Sequence, residues 1–585
     1  MNPDQSGQQS PPLPPEPMPA AHHFFVAFLH LTGAYLNSPG RLKIRITAVL
    51  LAVLTVLQMV MAVVITHWSA GLFNALEQRS MTGLLRQIGL LVLLFFAHMA
   101  LTGSHLVVKR NLMISWRDWL TEHVFSRWMR AGRHYLISHL PGEHDNPDGR
   151  IAEDCRVATE SAVSLAHSLF YSVLLLVGFT RVLWTHSGVV TLDLGFVRFP
   201  VYGHLVWIAI VYAALASWLG WLVSRPLTGA TNERQSAEAK FRASLVEAQE
   251  HSQTIALIHA ESCERHQFRE LFTRIRLVFD VQTRAWRNIL MFGTGYSVLS
   301  MAFPVLVCAP RYILGHITLG TLMQSAQAFQ HMASALSWPV HSAGSIAEWR
   351  ASVERVLGLL TALDTVEGQL AEPDRGIRLQ TADRPVLAFR DLCLTGYDGT
   401  VLTRDLNAEI APGERVLITG NTFTGARLFR AIAGIRPWGS GVIELPNTGR
   451  LFFMPPRPHL PAGTLRYAIC YPTSRRVFTT EQIEQAMQIE QAMRLAGLER
   501  LIDQLDLRGN WGNILAVAEQ QRLGMVRLLL NRPQWIFLLQ AFDALDPEDE
   551  AQMLRLISEQ LPESTLLTIT HLADGAALHT RQLAL

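Results

Sequence analysis

The residues with the most specific chemical content are Gly420 and Gly425, in the stretch VLITGNTFTGARLFRAIAG over 416–434. Two glycines at this spacing follow a short apolar strand at 416–419 and precede a helix expected to begin near Leu428, which is the outline of a phosphate-binding loop. In the working form, G-x-x-x-x-G-K-[ST], glycine-rich backbone cradles phosphates, the lysine reaches the β- and γ-phosphates, and the hydroxyl holds Mg²⁺. Here Gly420, Asn421, Thr422, Phe423, Thr424 and Gly425 supply the loop, and Ala426 and Arg427 stand where the ammonium and the hydroxyl belong. The outline is kept and its chemistry is missing. Arg427 brings a positive charge, but to the place of a metal ligand.

Little else in the chain reads as a reactive constellation. The five cysteines (Cys155, Cys263, Cys308, Cys393 and Cys470) are scattered without a C-x-x-C, against a disulfide framework or a zinc site. No metal site is expected. The net charge of +2 argues for neither a nucleic-acid partner nor an acidic tail. His98, His105, His167 and His331 lie in apolar stretches and read as inter-helix hydrogen-bonding groups. Those stretches carry no Asp or Glu, which weakens a proton-coupled mechanism.

The elements that position the loop follow from hydropathy. Of the 585 residues 49% are hydrophobic, enough chain for several domains. Residues 1–21, rich in Pro, Gln and Ser, read as a disordered tail, and 22–45 as an interfacial helix and lead-in. The region 46–345 reads as a transmembrane domain, since a bilayer core needs about 20 apolar residues in helix. Its six spans are 46–66, 88–108, 163–184, 204–224, 288–309 and 314–340. The sixth is the most polar, with Gln324, Gln327, Gln330 and His331. It is expected to face an aqueous cavity or a partner helix, making Gln324, Gln327 and His331 pathway candidates. Basic residues crowd the lead-in and the connections 109–162 and 225–287, so both termini are expected in the cytoplasm. Both connections read as helix, apart from a turn at 141–149. Beyond them, 346–384 reads as an amphipathic helix and a polar linker. Residues 385–585 alternate strands and helices as an α/β domain with a largely parallel sheet.

This arrangement resembles a half-size ATP-binding cassette (ABC) transporter, an all-α membrane domain of exporter type fused to an α/β cassette. The closer resemblance is to the branch with the peroxisomal fatty-acyl (subfamily D) transporters and the bacterial SbmA/BacA-like peptide and vitamin uptake proteins. It is carried by HDNPDGRIAED at 144–154, EAKFRASLVEAQEHSQTIALIHAESCER at 238–265, and APRYILGHITLGTLMQSAQAF with AEWRASVERVLGL within 309–359. The resemblance implies a coupling segment at Asp145, Asn146, Pro147 and Asp148, near the surface between membrane and cassette domains. It also makes the loop a Walker A motif one residue short before its helix. The family's Q-loop glutamine falls at Pro456. The signature reads Leu515, Ala516, Val517, Ala518 and Glu519, with both the serine and the glycine replaced by alanine. The Walker B Asp and Glu fall at Leu539 and Gln540. Asp543–Asp546, the dimer-contact loop, and the switch histidine, His571, match the pattern. Tyr397 is a candidate to stack an adenine.

Phosphoryl transfer is catalysed by positioning and charge neutralisation, and those charges and Mg²⁺ ligands are gone. The tandem IEQAMQIEQAM at 483–493 points to relaxed constraint, because six inserted residues rotate a helix by about 240°. The resemblance then implies a multi-pass subunit of the bacterial inner membrane, working as a homodimer or beside an intact ABC half-transporter. Its solute is expected to be peptide-like or a bulky amphipathic or hydrophilic compound, and no cofactor is expected to bind tightly. ATP and Mg²⁺ enter only if the cassette works. The alternative is a non-transporting regulator or assembly subunit, and after it an ATP-driven homodimer.

Overall fold

The computed structural model describes residues 21–139, 146–193, 198–371, 376–396, 400–435, 438–472, 481–570 and 579–585. The tail at 1–20, Asp145, Tyr397 and His571 lie outside them. The chain divides into two compact units, one of residues 18–125 and 146–357, the other including 126–139 and 358–585.

The first unit is helical. After α1 (Ala21–Leu36) come α2 (Arg41–Glu77), α3 (Met81–Met129), α4 (Cys155–Ser187), α5 (His204–Glu250), α6 (Glu261–Ile313), α7 (Leu319–Leu336) and α8 (Trp338–Ala371). Among the described residues, the helices over 41–77, 81–139, 147–187, 204–250 and 261–313 are long and apolar enough to cross a membrane. They contain the first five expected spans. Each runs well past its apolar stretch, as the charged, Ala/Leu-rich connections predict. The connection 225–287 is broken only near His251 and His259, around a short helix Ser252–Leu257.

The sixth expected span needs correction. Instead of a continuous helix over 314–340, Gly315 turns with φ +73°, α7 occupies Leu319–Leu336, and Ser337 separates it from α8. α7 is buried along Leu322, Gln324, Ala328, Phe329, Met332 and Ala333, so within this unit its polar side chains meet neighbouring helices. Phe329 and Met332 share a core with Leu175, Phe179 and Leu183 of α4 and Leu205 and Ala209 of α5. The sequence also gave no sign of the antiparallel hairpin β1 (Val189–Asp193) and β2 (Arg198–Tyr202), which pairs Val189 with Tyr202 between α4 and α5. α1 docks through aromatic rings: Tyr35 stacks on Trp116 with centroids 5.4 Å apart, and Phe28 meets Trp349 edge-on at 4.9 Å.

The second unit carries two sheets. Strands β3 (Arg378–Thr381), β4 (Leu387–Thr395), β5 (Val401–Ile410) and β7 (Gly439–Leu445) form a sheet in the order β3-β7-β4-β5, in which β4 runs antiparallel to both neighbours. The other sheet is wholly parallel, in the order β11 (Arg581–Ala584), β6 (Arg415–Thr419), β10 (Thr565–Ile569), β9 (Trp535–Leu539), β8 (Leu451–Met454). Strand β9 shows why this sheet is central. Trp535, Phe537 and Leu539 point into one core while Ile536 and Leu538 point into the other. A parallel strand covered on both faces reads as such a continuous apolar run. The 364–384 stretch is not simply a linker: α8 continues to Ala371, and β3 pairs with β7.

Four further helices matter for the site: α9 (Thr422–Ile432), α10 (Glu481–Leu495), α11 (Val517–Asn531) and α12 (Pro547–Gln560). α10 holds the tandem repeat. Met493 of the second copy is fully buried, whereas its counterpart Met487 is 67% exposed. A six-residue shift turns equivalent residues to different faces, so one copy takes the core.

Candidate functional site

The loop at Gly420 differs from the expectation in one decisive respect. The helix begins at Thr422, not near Leu428, and only Gly420 and Asn421 separate it from β6. Asn421 is the N-cap, its side-chain oxygen accepting from the Phe423 amide at 2.9 Å. Thr422, Phe423, Thr424 and Gly425, the residues of an open cradle, are therefore wound into the first turn. An Asx cap satisfies an amide that would otherwise be free for a ligand. Gly420 has φ +125°, and a Cβ there would sit 2.9 Å from the Leu585 carbonyl oxygen. The strand β11 lies beside it, with the Leu585 amide donating to the Thr419 carbonyl at 2.9 Å. Gly425 faces inward, where a Cβ would meet Ile569 Cγ2 at 2.7 Å. The Arg427 guanidinium lies 4.0 Å from the centroid of the Phe423 ring, and its Nη1 donates to the Thr395 carbonyl at 3.4 Å. Ala426 packs against the sheet core.

The parallel sheet brings the other motif positions to the same edge. Leu539, the position expected to correspond to a Walker B carboxylate, ends β9 and is buried. Gln540 follows with φ +46°, its amide donating to the Ile569 carbonyl at 2.8 Å. Pro456 lies just beyond β8, and its carbonyl accepts from Gln521 Nε2 at 3.0 Å. Gln521 is 1% exposed, and its Oε1 accepts from the Ala544 amide at 3.0 Å. One side chain of α11 thus ties the Q-loop position to the Asp543–Asp546 turn. Sequence reasoning named Gln521 only as part of the signature helix and missed this bridge.

The signature positions Leu515, Ala516, Val517, Ala518 and Glu519 form the start of α11. Ala516 is the N-cap and offers no side-chain acceptor, while Glu519 Oε2 accepts from the Ala516 amide at 3.0 Å. Half of a capping box survives. Ala516→Ser is expected to stabilise the protein by ~1 kcal/mol, as N-cap serines do, without creating nucleotide binding. The thermal midpoint of the purified protein checks it.

α12 starts at the Asp546 turn and carries Glu550, which is buried. Burial pushes its carboxyl above the ordinary range and Asp543 adds to the shift, while a hydrogen bond from Thr570 opposes it. An acid whose folded pKa is raised loses stability as pH climbs from its unfolded pKa to its folded one. Glu550→Gln is therefore expected to stabilise the protein at neutral pH. The gain should shrink as pH falls into the ordinary carboxylate range, read from melts of both proteins across pH 4–8, roughly the span over which raised carboxylates titrate.

The segment before the expected coupling residues belongs to the cassette unit. Arg127 and Arg133 both pair with Glu367, and Arg127 also with Asp364. The His139 ring lies 5.4 Å from Trp438. Asn146 has left-handed backbone (φ 60°) and makes no side-chain cap, Pro147 opens the following turn, and Asp148 sits within it. The next turn, Arg150–Asp154, is π-helical.

In the membrane unit the pathway candidates are held by α2 and α4. Gln324 Nε2 lies 2.9 Å from His67 Nδ1, Gln327 Nε2 donates to Ser69 Oγ at 2.9 Å, and His331 stacks on Phe179 with centroids 4.5 Å apart. His105 and His167 approach each other, with centroids at 4.5 Å. Among the described residues no group of His, Cys, Asp and Glu is disposed to hold a metal.

A parallel sheet with a second, largely antiparallel sheet, on a chain whose other unit is a bundle of membrane-length helices, is the architecture of an ABC exporter-like half-transporter. Residues 31–313 match the family ABC transporter transmembrane region 2. The membrane region of this chain is therefore of the kind found in ABC transporter subunits, and the chain's full-length relatives include members of the D subfamily. It is 28% identical over 541 residues to the inner membrane ABC transporter ATP-binding protein YddA of Escherichia coli, covering 90% of this chain and 92% of that protein. It is 26% identical to ABC transporter D family member 2, chloroplastic, of Arabidopsis thaliana, over 81% of this chain and 73% of that one. It is 25% identical to the lysosomal cobalamin transporter ABCD4 of Homo sapiens, over 88% and 87% of the two chains. Half-transporters of this kind dimerise and lie in the membrane.

Proposed function

We propose that this chain is a transporter subunit that moves a peptide-like or bulky amphipathic or hydrophilic solute across the bacterial inner membrane without hydrolysing ATP itself. The observation that carries the reading is the two-residue gap between β6 and α9. It leaves no loop of backbone amides to surround a phosphate. The chain also offers no ammonium at 426, no hydroxyl at 427 and no carboxylate at 539 or 540. These residues do not fit Mg-ATP. Energy then comes from an intact partner half-transporter or from an ion gradient, and the cassette serves as a dimerisation scaffold. The basic connections favour cytoplasmic termini. The name of the human relative, a cobalamin transporter, supports a bulky hydrophilic cargo.

The test is the purified protein in proteoliposomes, assayed for phosphate release and for uptake of labelled cobalamin and a labelled peptide. No Mg-ATP-dependent phosphate release above protein-free vesicles is expected, with uptake appearing under a proton gradient or beside a partner subunit. Saturable ATP hydrolysis by this chain alone would overturn the reading.

A further inference from the structure

Between α3 and α4 lies a cavity of about 310 Å³, lined among others by Lys109, Arg110, Arg156, Glu160, Ser161 and Ser164. Its place along the helices matters. Lys109 and Arg110 directly follow the apolar run 88–108 of α3, and Ser161 and Ser164 flank the start of the apolar run 163–184 of α4. Both runs therefore end at the cavity, which is the depth of lipid headgroups.

The charges there are unbalanced. Glu160 is engaged by Arg117 at 3.6 Å and Arg156 at 3.5 Å, and Arg156 also pairs with Glu153. Lys109 Nζ donates to Ser164 Oγ at 3.1 Å, and among the described residues neither Lys109 nor Arg110 has a carboxylate partner. On the apolar side, Leu106 lines the cavity and is exposed, as are Leu169, Phe170 and Val173 of α4. A polar, cationic pocket opening onto exposed hydrocarbon matches one kind of ligand, with an anionic head and acyl chains.

We propose that this cavity binds the phosphate headgroup of an anionic phospholipid. Lys109 and Arg110 supply the counter-charges, and the Ser161 and Ser164 hydroxyls supply hydrogen-bond donors. Pockets of this charge between membrane helices favour anionic over zwitterionic headgroups. The inference stands whether or not the cassette binds nucleotide.

The test uses the full-length protein in phosphatidylcholine nanodiscs with rising fractions of phosphatidylglycerol. Native mass spectrometry counts retained phosphatidylglycerol, and the thermal midpoint is followed in parallel. Lys109→Ala with Arg110→Ala is expected to weaken retention by about tenfold or more, since each cation near the surface contributes about fivefold. Arg276→Ala, an exposed arginine of α6, is expected to leave it unchanged. Should the double variant fail to fold, Lys109→Gln carries the same comparison. Equal retention by the cavity variant and the parent overturns the proposal. So does an equal thermal shift from inorganic phosphate in phosphatidylcholine alone, which would assign the cavity to a soluble phosphate.

Discussion

Arg355→Ala is expected to destabilise the membrane unit by about 3–5 kcal/mol, the cost of leaving a buried carboxylate without its partner. Asp154 is 6% exposed and sits in the π-helical turn that opens α4. Arg355 Nε donates to its Oδ2 at 2.8 Å, and Arg355 Nη2 reaches Oδ1 and donates to Ser352 Oγ at 2.9 Å. The remaining cation, Arg150, lies 3.5 Å away and cannot replace a two-pronged contact. Asp154→Ala should cost less, because the Arg355 side chain is 43% exposed and can turn to water. The double variant should then be less destabilised than the two single ones added together. Denaturation of the purified protein in detergent measures all three. An Arg355→Ala loss under about 0.5 kcal/mol, the range of an ordinary surface change, would refute the latch between α4 and α8.

Gly320→Leu is expected to be comparably severe, at about 3 kcal/mol or more, by overpacking. Gly320 lies in the first turn of α7 against α2. A Cβ there would fall under 3.0 Å from the Ala70 carbonyl oxygen, which is backbone and cannot step aside. The same contact holds the end of α7, since the Gly320 amide donates to Asn74 Oδ1 at 3.0 Å and the Leu319 amide to Glu77 Oε2 at 3.0 Å. Moving α7 also displaces Gln324 and Gln327 from His67 and Ser69, so loss of uptake should accompany loss of stability. Gly344→Leu is the control, because nothing lies within 4 Å of its would-be Cβ. Equal melting of the two variants would contradict this packing.

The five long spans were legible because each contains an unbroken apolar run, a signal that does not depend on neighbours. The sixth was drawn too long because 314–340 carries no Asp, Glu, Lys or Arg to mark the break at Ser337. Its burial comes from α2, α4, α5 and α6, which no local pattern reports. The hairpin at 189–202 was missed because its strands are short and pair only with each other. In the cassette, the continuous apolar runs of β9 and β10 announced the parallel sheet. The second sheet was partly hidden in stretches such as 378–381, whose parallel pairing with β7 is made across a long sequence separation. At the candidate site, the missing chemistry at 426, 427, 539 and 540 was plain from residue types alone. The start of α9 was not. The phosphate-loop template places the helix after the second glycine, whereas Asn421 caps it four residues earlier. Cap geometry, not glycine spacing, sets that boundary.

The most direct test of the central claim is equilibrium binding of a fluorescent ATP analogue to the full-length protein in detergent, with Mg²⁺ and with unlabelled ATP as competitor. The helical start of α9 at Thr422 predicts no saturable binding up to millimolar nucleotide, and none gained by Ala426→Lys alone, because the backbone cradle would still be wound into helix. Micromolar binding by the parent chain, displaced by excess ATP, would contradict the account and return the protein to the ATP-driven transporters.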